Sequence, residues 1–247
     1  IAPWARRLRT TTKVDCVLDF QGLLRSALIA RLCRARGGKI IGLSDAREGA
    51  RYFYDRVVDV GGIAHAVDRY LALVAPLGID TAQPAEWPLP SGEPVAEVPD
   101  GPFILFHPFS RGAGKSLSPE EVQTFCSALA PLRVVIAGRS EANLLPLGNA
   151  LDLLNRTTLS QLISLIRRAA FVVSVDSGPM HIAAALTERL VSIHTWSDPA
   201  KVGPYQPNAW IWKDRALAQM RDLESRSKHL PCEDIRALAA FVAQQCR

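Results

Sequence analysis

Three strand-end stretches of the chain carry residue types that could do chemistry, two of them suited to holding an anion. The first is His107-Pro108-Phe109-Ser110-Arg111-Gly112-Ala113-Gly114-Lys115-Ser116. Glycine amides approach a phosphate closely and a lysine adds charge, so Gly-x-Gly-Lys-Ser invites a phosphate-loop reading. The full pattern needs glycine at position 109, where this chain has Phe109. A phosphate loop also runs straight into its helix at the Lys-Ser pair. Here the helix start reads later, with Ser118 as N-cap, Pro119 in first position and Glu121 closing a capping box. Lys115 is therefore expected on a loop, where it either meets a phosphate or is simply solvated.

The second stretch, Val172 to His181, turns a strand abruptly into a helix, with Pro179 where its missing N–H costs nothing. The amides of Ser177, Gly178 and Met180 would point out of that helix N-terminus, a ready anion site. Asp176 either braces the turn or acts as a plain N-cap, and His181 reads as a packed first-turn histidine. No second His or carboxylate stands at ligand spacing, so no metal is expected. The third stretch is Ala137-Gly138-Arg139-Ser140-Glu141. Glu141 either accepts from a ribose hydroxyl or is a solvated loop glutamate. A fourth piece, Asp198-Pro199 followed by Gly203-Pro204-Tyr205, is too rigid for a random loop.

The elements that would position these residues alternate regularly. Strands are expected at 103–107, 133–137, 151–154, 171–175, 190–194 and 210–212. Helices are expected at 118–129, 158–169 and 178–186, with a short helical segment before Leu151. Continuous Val and Ile runs separated by helices imply a parallel sheet covered on both faces, and such sheets bind ligands beyond the carboxyl ends of their strands. Toward the N-terminus, Val14–Asp19 and Lys39–Leu43 read as strands. A helix from Leu23 to Leu32 closes at Gly37-Gly38. Another runs from His65 to Leu77, with Val67, Tyr70, Leu71 and Val74 on one face and Gly78 as its stop. Between the halves, residues 81–102 hold six prolines and read as a linker. The expected organisation is a partial N-terminal lobe at 1–95, with the linker at about 81–102, and a complete lobe at 103–247.

Composition narrows the class. With 247 residues, 48% apolar and 21% charged, the chain is globular, and no apolar run is long enough to span a bilayer. The net charge of +5 is uneven: residues 1–36 carry +6 and the rest sum to −1. Basic residues without interleaved stacking aromatics offer no nucleic-acid platform. The five cysteines are widely spaced with no C-x-x-C pair, which argues for packing roles and a reducing cytoplasm. The chain opens Ile-Ala-Pro-Trp without Met or a signal-like run, so a preceding segment is expected.

Taken together and in order, these stretches resemble glycosyltransferase family 9, the ADP-heptose–lipopolysaccharide heptosyltransferases. The matching pieces are Asp19-Phe20-Gln21-Gly22-Leu23-Leu24-Arg25-Ser26, His65-Ala66-Val67-Asp68-Arg69, His107–Lys115, Asp176–His181, and Asp198-Pro199 with Gly203-Pro204-Tyr205. The resemblance implies an α/β fold of GT-B type, two Rossmann-like lobes with the donor nucleotide on the C-terminal one. It implies that Ser110 and Lys115 contact the donor diphosphate and that Glu141 holds the ribose. Ser177, Gly178 and Met180 would offer amides beneath Asp176, with His181 a further donor-site residue. The implied reaction is an inverting, metal-free transfer of heptose from ADP-heptose to a lipopolysaccharide core acceptor. No cofactor is implied, the ADP-sugar being the substrate, and the setting is cytoplasmic with peripheral contact to the inner membrane face.

Two departures stand out. The family has a tryptophan just after the donor-loop lysine, where this chain reads Ser116-Leu117. The family also begins with a strand and a Gly-Asp loop whose aspartate serves as base, and nothing before Val14 matches it. The catalytic base is therefore unassigned and expected in a missing N-terminal segment, leaving a chain that binds donor without completing the reaction. Asp19 reads as a cap rather than the base. Two other functions compete: a phosphate-loop nucleotide hydrolase or kinase, and an inactive relative that only binds a sugar nucleotide.

Overall fold

The computed structural model describes residues 14–81, 86–98 and 100–246. The chain divides into two compact units, Ile1–Ala85 and Glu86–Arg247. Arg6, Arg7, Arg9 and Lys13, half of the basic N-terminal cluster, lie outside the described residues.

The first unit is a three-stranded parallel sheet in the order β1 (Val14–Asp19), β2 (Arg34–Leu43), β3 (Arg56–Val58). Helix α1 (Leu24–Cys33) links β1 to β2 and buries Ala27 and Ala30. Here the expected glycine stop gives way. β2 starts directly at Arg34 and runs through Gly37-Gly38, because a register shift against β1 (Val14 opposite Arg34, then Cys16 opposite Lys39) absorbs the extra residues. Gly37 takes φ +86° in that bulge, a conformation open to glycine. Helix α2 (Ala66–Ala72) is capped by His65, whose Nδ1 accepts from the Val67 amide at 3.2 Å. It is shorter than expected and its apolar face differs. After Ala72 the chain tightens into a 3₁₀ turn at Ala75–Leu77, which swings Leu73 into the core with Ile41, Leu43 and Val60 and leaves Tyr70 exposed. Gly78 ends the segment in the left-handed conformation, as its position predicts.

The second unit is built on an eight-stranded sheet. Its strands are β4 (Ile104–His107), β5 (Val134–Gly138), β6 (Ala150–Leu154), β7 (Phe171–Val175), β8 (Leu190–Ile193), β9 (Trp210–Lys213), β10 (Ala216–Gln219) and β11 (Leu230–Pro231). They lie in the order 11-10-9-8-7-4-5-6. Neighbours from β9 through β6 are parallel, and β9, β10 and β11 pair antiparallel. Side chains alternate between two cores. Ile104, Phe106, Val134, Ile136 and Val173 face α3 (Pro119–Ala128) and α7 (Ile235–Gln245). Phe103, Leu105, Val135 and Val172 face α4 (Leu159–Arg168) and α5 (Gly178–Leu186). Helix α6 (Pro199–Val202) is one turn.

Caps explain why the helix starts were readable. Ser118 accepts from the Glu121 amide while Glu121 accepts from Ser118, and Thr158 and Gln161 do the same at α4. The short helix expected before β6 is absent; there Ser140 Oγ accepts from the Ala142 amide and Asn155 bonds both backbone groups of Ser140. From Glu86 onward the proline-rich stretch is a strap on the second unit. Arg167 donates to the carbonyls of Leu89 and Pro90, Val95 and Val98 enter the core, and Trp87 stands edge-on to Tyr205 at 6.2 Å. Proline removes donors but leaves carbonyls, and arginines take them up.

Candidate functional site

In the second unit the connections leave β4 in one direction and return to β7 on its other side, so β4 and β7 flank a topological switch point. Ligands in open α/β sheets bind beyond the strand ends at such a point. There the structure has a cavity of about 640 Å³, lined by His107 and Ser110 after β4, Gly138 and Arg139 at the end of β5, Thr157 and Thr158 before α4, and Ser177 and Gly178 opening α5. A larger recess of about 910 Å³, lined by Asp198, Lys213 and His229 among others, shares no lining residue with it.

Of the anion-binding candidates, Ser110, Ser177 and Gly178 line this cavity, while Lys115 and Asp176 pair with each other outside its lining. Ser110 and Ser116 close the 110–116 loop on itself, the Ser116 hydroxyl accepting from the Ser110 amide at 2.9 Å and donating to the Ser110 carbonyl at 3.1 Å. Leu117 donates to Pro108, and the helix begins only at Pro119, so Lys115 sits on a loop and not on a helix. Its ammonium reaches Asp176, 2.6 Å from Oδ2. Asp176 follows β7 and is buried. Burial by itself would raise its pKa; hydrogen bonds from Lys115 and Ser197 and the lysine charge outweigh that and hold it below the usual carboxylate value.

Behind the pair runs a buried polar chain. His194 Nδ1 lies 2.9 Å from Ser197 Oγ, and its Nε2 lies 2.8 Å from Ser192 Oγ. Burial pushes His194 down to about 4, against the pull of the Asp176 carboxylate. His107, at the end of β4, is also driven down to about 4 by burial. Both rings are neutral near pH 7. Gly138 takes φ +139°, and a Cβ there would stand 2.9 Å from His107 Nε2, so glycine lets the two strand ends close up.

Other expected residues divide. Ser177 and Gly178 line the cavity. Met180 is fully buried and its amide already donates to the Ser177 carbonyl at 3.1 Å, so it serves the helix turn and core rather than an incoming anion. His181 is exposed on the first turn of α5, not packed as its position suggested. Glu141 is exposed and outside the cavity lining; Arg139, two residues earlier, is in it. Asp198 caps α6, accepting from the Ala200 amide at 3.1 Å. In the first unit Asp19 accepts from the Gln21 and Gly22 amides, the Ser26 hydroxyl and the Tyr54 hydroxyl, a bracing role.

Sequence reasoning singled out the 137–141 stretch but chose Glu141 over Arg139, and it missed Thr157, Thr158, Thr195 and Trp196; the adjacency of Thr157-Thr158 to a helix start was the one hint among these. Among the described residues, no group of three or more His, Cys, Asp and Glu is placed to hold a metal ion, and no helix is long and apolar enough to cross a membrane.

The family model described as glycosyltransferase family 9 (heptosyltransferase) matches residues 2–115 and 120–232. The chain belongs to that family. Across 221 residues it is 30% identical to lipopolysaccharide heptosyltransferase 1 of Salmonella typhimurium, covering 82% of this chain and 68% of the relative. It is 26% identical over 211 residues to the lipopolysaccharide core heptosyltransferase OpsX of Haemophilus influenzae, covering 77% of this chain and 60% of OpsX. The E. coli heptosyltransferase WaaC solved with ADP has the same fold, with a TM-score of 0.69 at 22% identity over 98% of this chain and 75% of that one. The matched region thus spans about three-fifths to two-thirds of these curated relatives' length. This family 9 member has the expected α/β, GT-B-class fold. The phosphate-loop alternative is not favoured, since Lys115 is neither on a helix nor in the full motif.

Proposed function

We propose that the protein is an inverting glycosyltransferase that moves heptose from ADP-heptose to a lipopolysaccharide core acceptor without a metal cofactor. The observation that carries this reading is the Lys115–Asp176 pair at the carboxyl ends of β4 and β7, beside a cavity lined by Ser110, Ser177 and Gly178. The relatives named for heptose transfer, and WaaC solved with ADP and with ADP-2-deoxy-2-fluoro heptose, support the choice of donor.

In this reading the donor diphosphate lies over the start of α5. Lys115, the Ser110 hydroxyl and the Ser177 and Gly178 amides meet the negative charge that grows on the departing ADP as the glycosidic bond breaks. A base takes the acceptor proton as the hydroxyl attacks the opposite face of the sugar. Asp19 is not that base, because four hydrogen bonds already hold its carboxylate. Glu141, exposed beside Arg139, takes the ribose hydroxyls once nucleotide is bound, and His181 borders the donor site. The lipopolysaccharide acceptor places the protein in the cytoplasm, in peripheral contact with the inner membrane face.

The deciding experiment incubates the full-length protein, including the expected preceding segment, with ADP-heptose and heptose-deficient lipopolysaccharide, with and without a chelator. Heptosylated product in both conditions supports the reading. ADP bound but no product leaves a nucleotide-sugar-binding relative; ADP binding lost with chelator overturns the metal-free mechanism.

A further inference from the structure

The loop bearing Lys115 is gripped from the loop that follows β8. Thr195 Oγ1 donates to the Gly114 carbonyl at 2.7 Å, and Trp196 Nε1 donates to the Ala113 carbonyl at 3.2 Å. The Lys115 ammonium lies 5.1 Å from the centre of the Trp196 ring. Gly114 packs against the same indole, at φ +71° with a Cβ position 3.6 Å from it. Trp196 is otherwise 63% exposed, so it contributes little to the core. The two residues directly after Lys115 are Ser116 and Leu117 rather than a tryptophan, and Leu117 is buried.

We infer that Trp196 is a positioning residue for nucleotide diphosphate binding, acting through Lys115 by holding the 112–115 backbone and the ammonium over the mouth of the anion site. The inference rests on the proposed role of Lys115. Three contacts to three consecutive residues of one loop leave that loop few arrangements, and they aim its charge along one direction. A lysine alone carries a large rotamer entropy, which an anion would otherwise have to overcome on binding. The aromatic face and Asp176 both contact the ammonium, and the carbonyls of Ala113 and Gly114 already accept hydrogen bonds from Trp196 and Thr195.

The test is a double-mutant cycle on the 247-residue chain, reading ADP affinity by calorimetry, with adenosine as the probe lacking phosphate. Trp196→Ala should weaken ADP roughly 5- to 20-fold, the combined scale of an exposed cation–π contact and one hydrogen bond, while adenosine binding is unchanged. Trp196→Phe, which keeps the ring face, should recover part of the loss. The Lys115→Ala, Trp196→Ala double variant should bind ADP no more weakly than Lys115→Ala alone, since Trp196 acts through the lysine. Thermal melting of each variant confirms folding. Losses that multiply in the double variant, or an equal loss of adenosine, would mean that Trp196 touches the nucleotide itself and overturn the inference. Wild-type ADP affinity in Trp196→Ala overturns it too. If Lys115→Ala binds ADP normally, the phosphate-binding reading of Lys115 falls, and the positioning role falls with it.

Discussion

The Lys115 ammonium and a carboxylate oxygen of Asp176 meet at 2.6 Å, although 61 residues separate them in the chain. Lys115 keeps about a fifth of its side chain exposed and Asp176 almost none. The pair neutralises a carboxylate that burial would otherwise penalise, and it fixes a cation at the site's edge. That asymmetry sets what each partner's loss should do.

Lys115→Ala strands a buried carboxylate and should destabilise the protein by about 1–3 kcal/mol in urea unfolding, less than a fully buried pair because one partner is wetted. Asp176→Asn keeps the shape and should cost less. Asp176 has its folded pKa depressed, so its contribution is present above the unfolded carboxylate pKa of about 3.9 and is lost as pH falls through the lower folded value. The stability gap between wild type and Asp176→Asn should therefore close in acid. A gap that persists unchanged to pH 2 would contradict the ion pair.

His107 and His194 are both held near pKa 4, well below the unfolded value of about 6.5. Between these values the unfolded chain binds protons that the folded chain refuses, so stability should rise as pH climbs from 4 to 6.5 and level off above. Each ring contributes up to about 1.4 kcal/mol per pH unit within that window. His194→Asn should flatten the slope. In NMR, neither ring should titrate between pH 6 and 8; a midpoint near 6.5 for either would refute its burial.

Gly138→Ala should be costly out of proportion to one methyl group. The residue has φ +139°, and its Cβ would press on His107. Strain of this kind costs about 1–3 kcal/mol before the clash is relieved. Because His107 lines the cavity, ADP affinity should drop together with Tm. Unchanged binding would separate the strand end from the site.

Asp19→Ala provides the contrast. It removes the acceptor for two amides and two hydroxyls around a buried carboxylate, and should lower stability by about 2–4 kcal/mol. ADP affinity should stay at the wild-type level. A tenfold loss of ADP binding would give this residue a part in donor recognition that its bonding does not indicate.

Local rules made much of the architecture legible. β7 and α5 begin and end where apolar run, Pro179 and helix spacing place them, and Ser118 and Thr158 cap their helices as their residue types require. β10 and α7 were not read, although Asp234 caps α7 and Leu238 and Val242 stand one turn apart on its buried side. The stop at Gly37-Gly38 misled because partner strands, not the glycines, set the register there.

The sequence by itself determined where strands and helices lie around the 107–118 and 171–186 segments, and that His107–Lys115 and Asp176–Gly178 would sit at strand ends, because caps, turns and periodicity act within a few residues. Only the tertiary structure decided what those loops do to one another. The parallel sheet sets β4 beside β7 and β7 beside β8, and this adjacency brings Asp176 to Lys115, Trp196 onto Lys115, and Arg139 rather than Glu141 into the cavity lining. Each contact joins residues far apart in the chain, and no local pattern encodes the register of strands that meet only on folding.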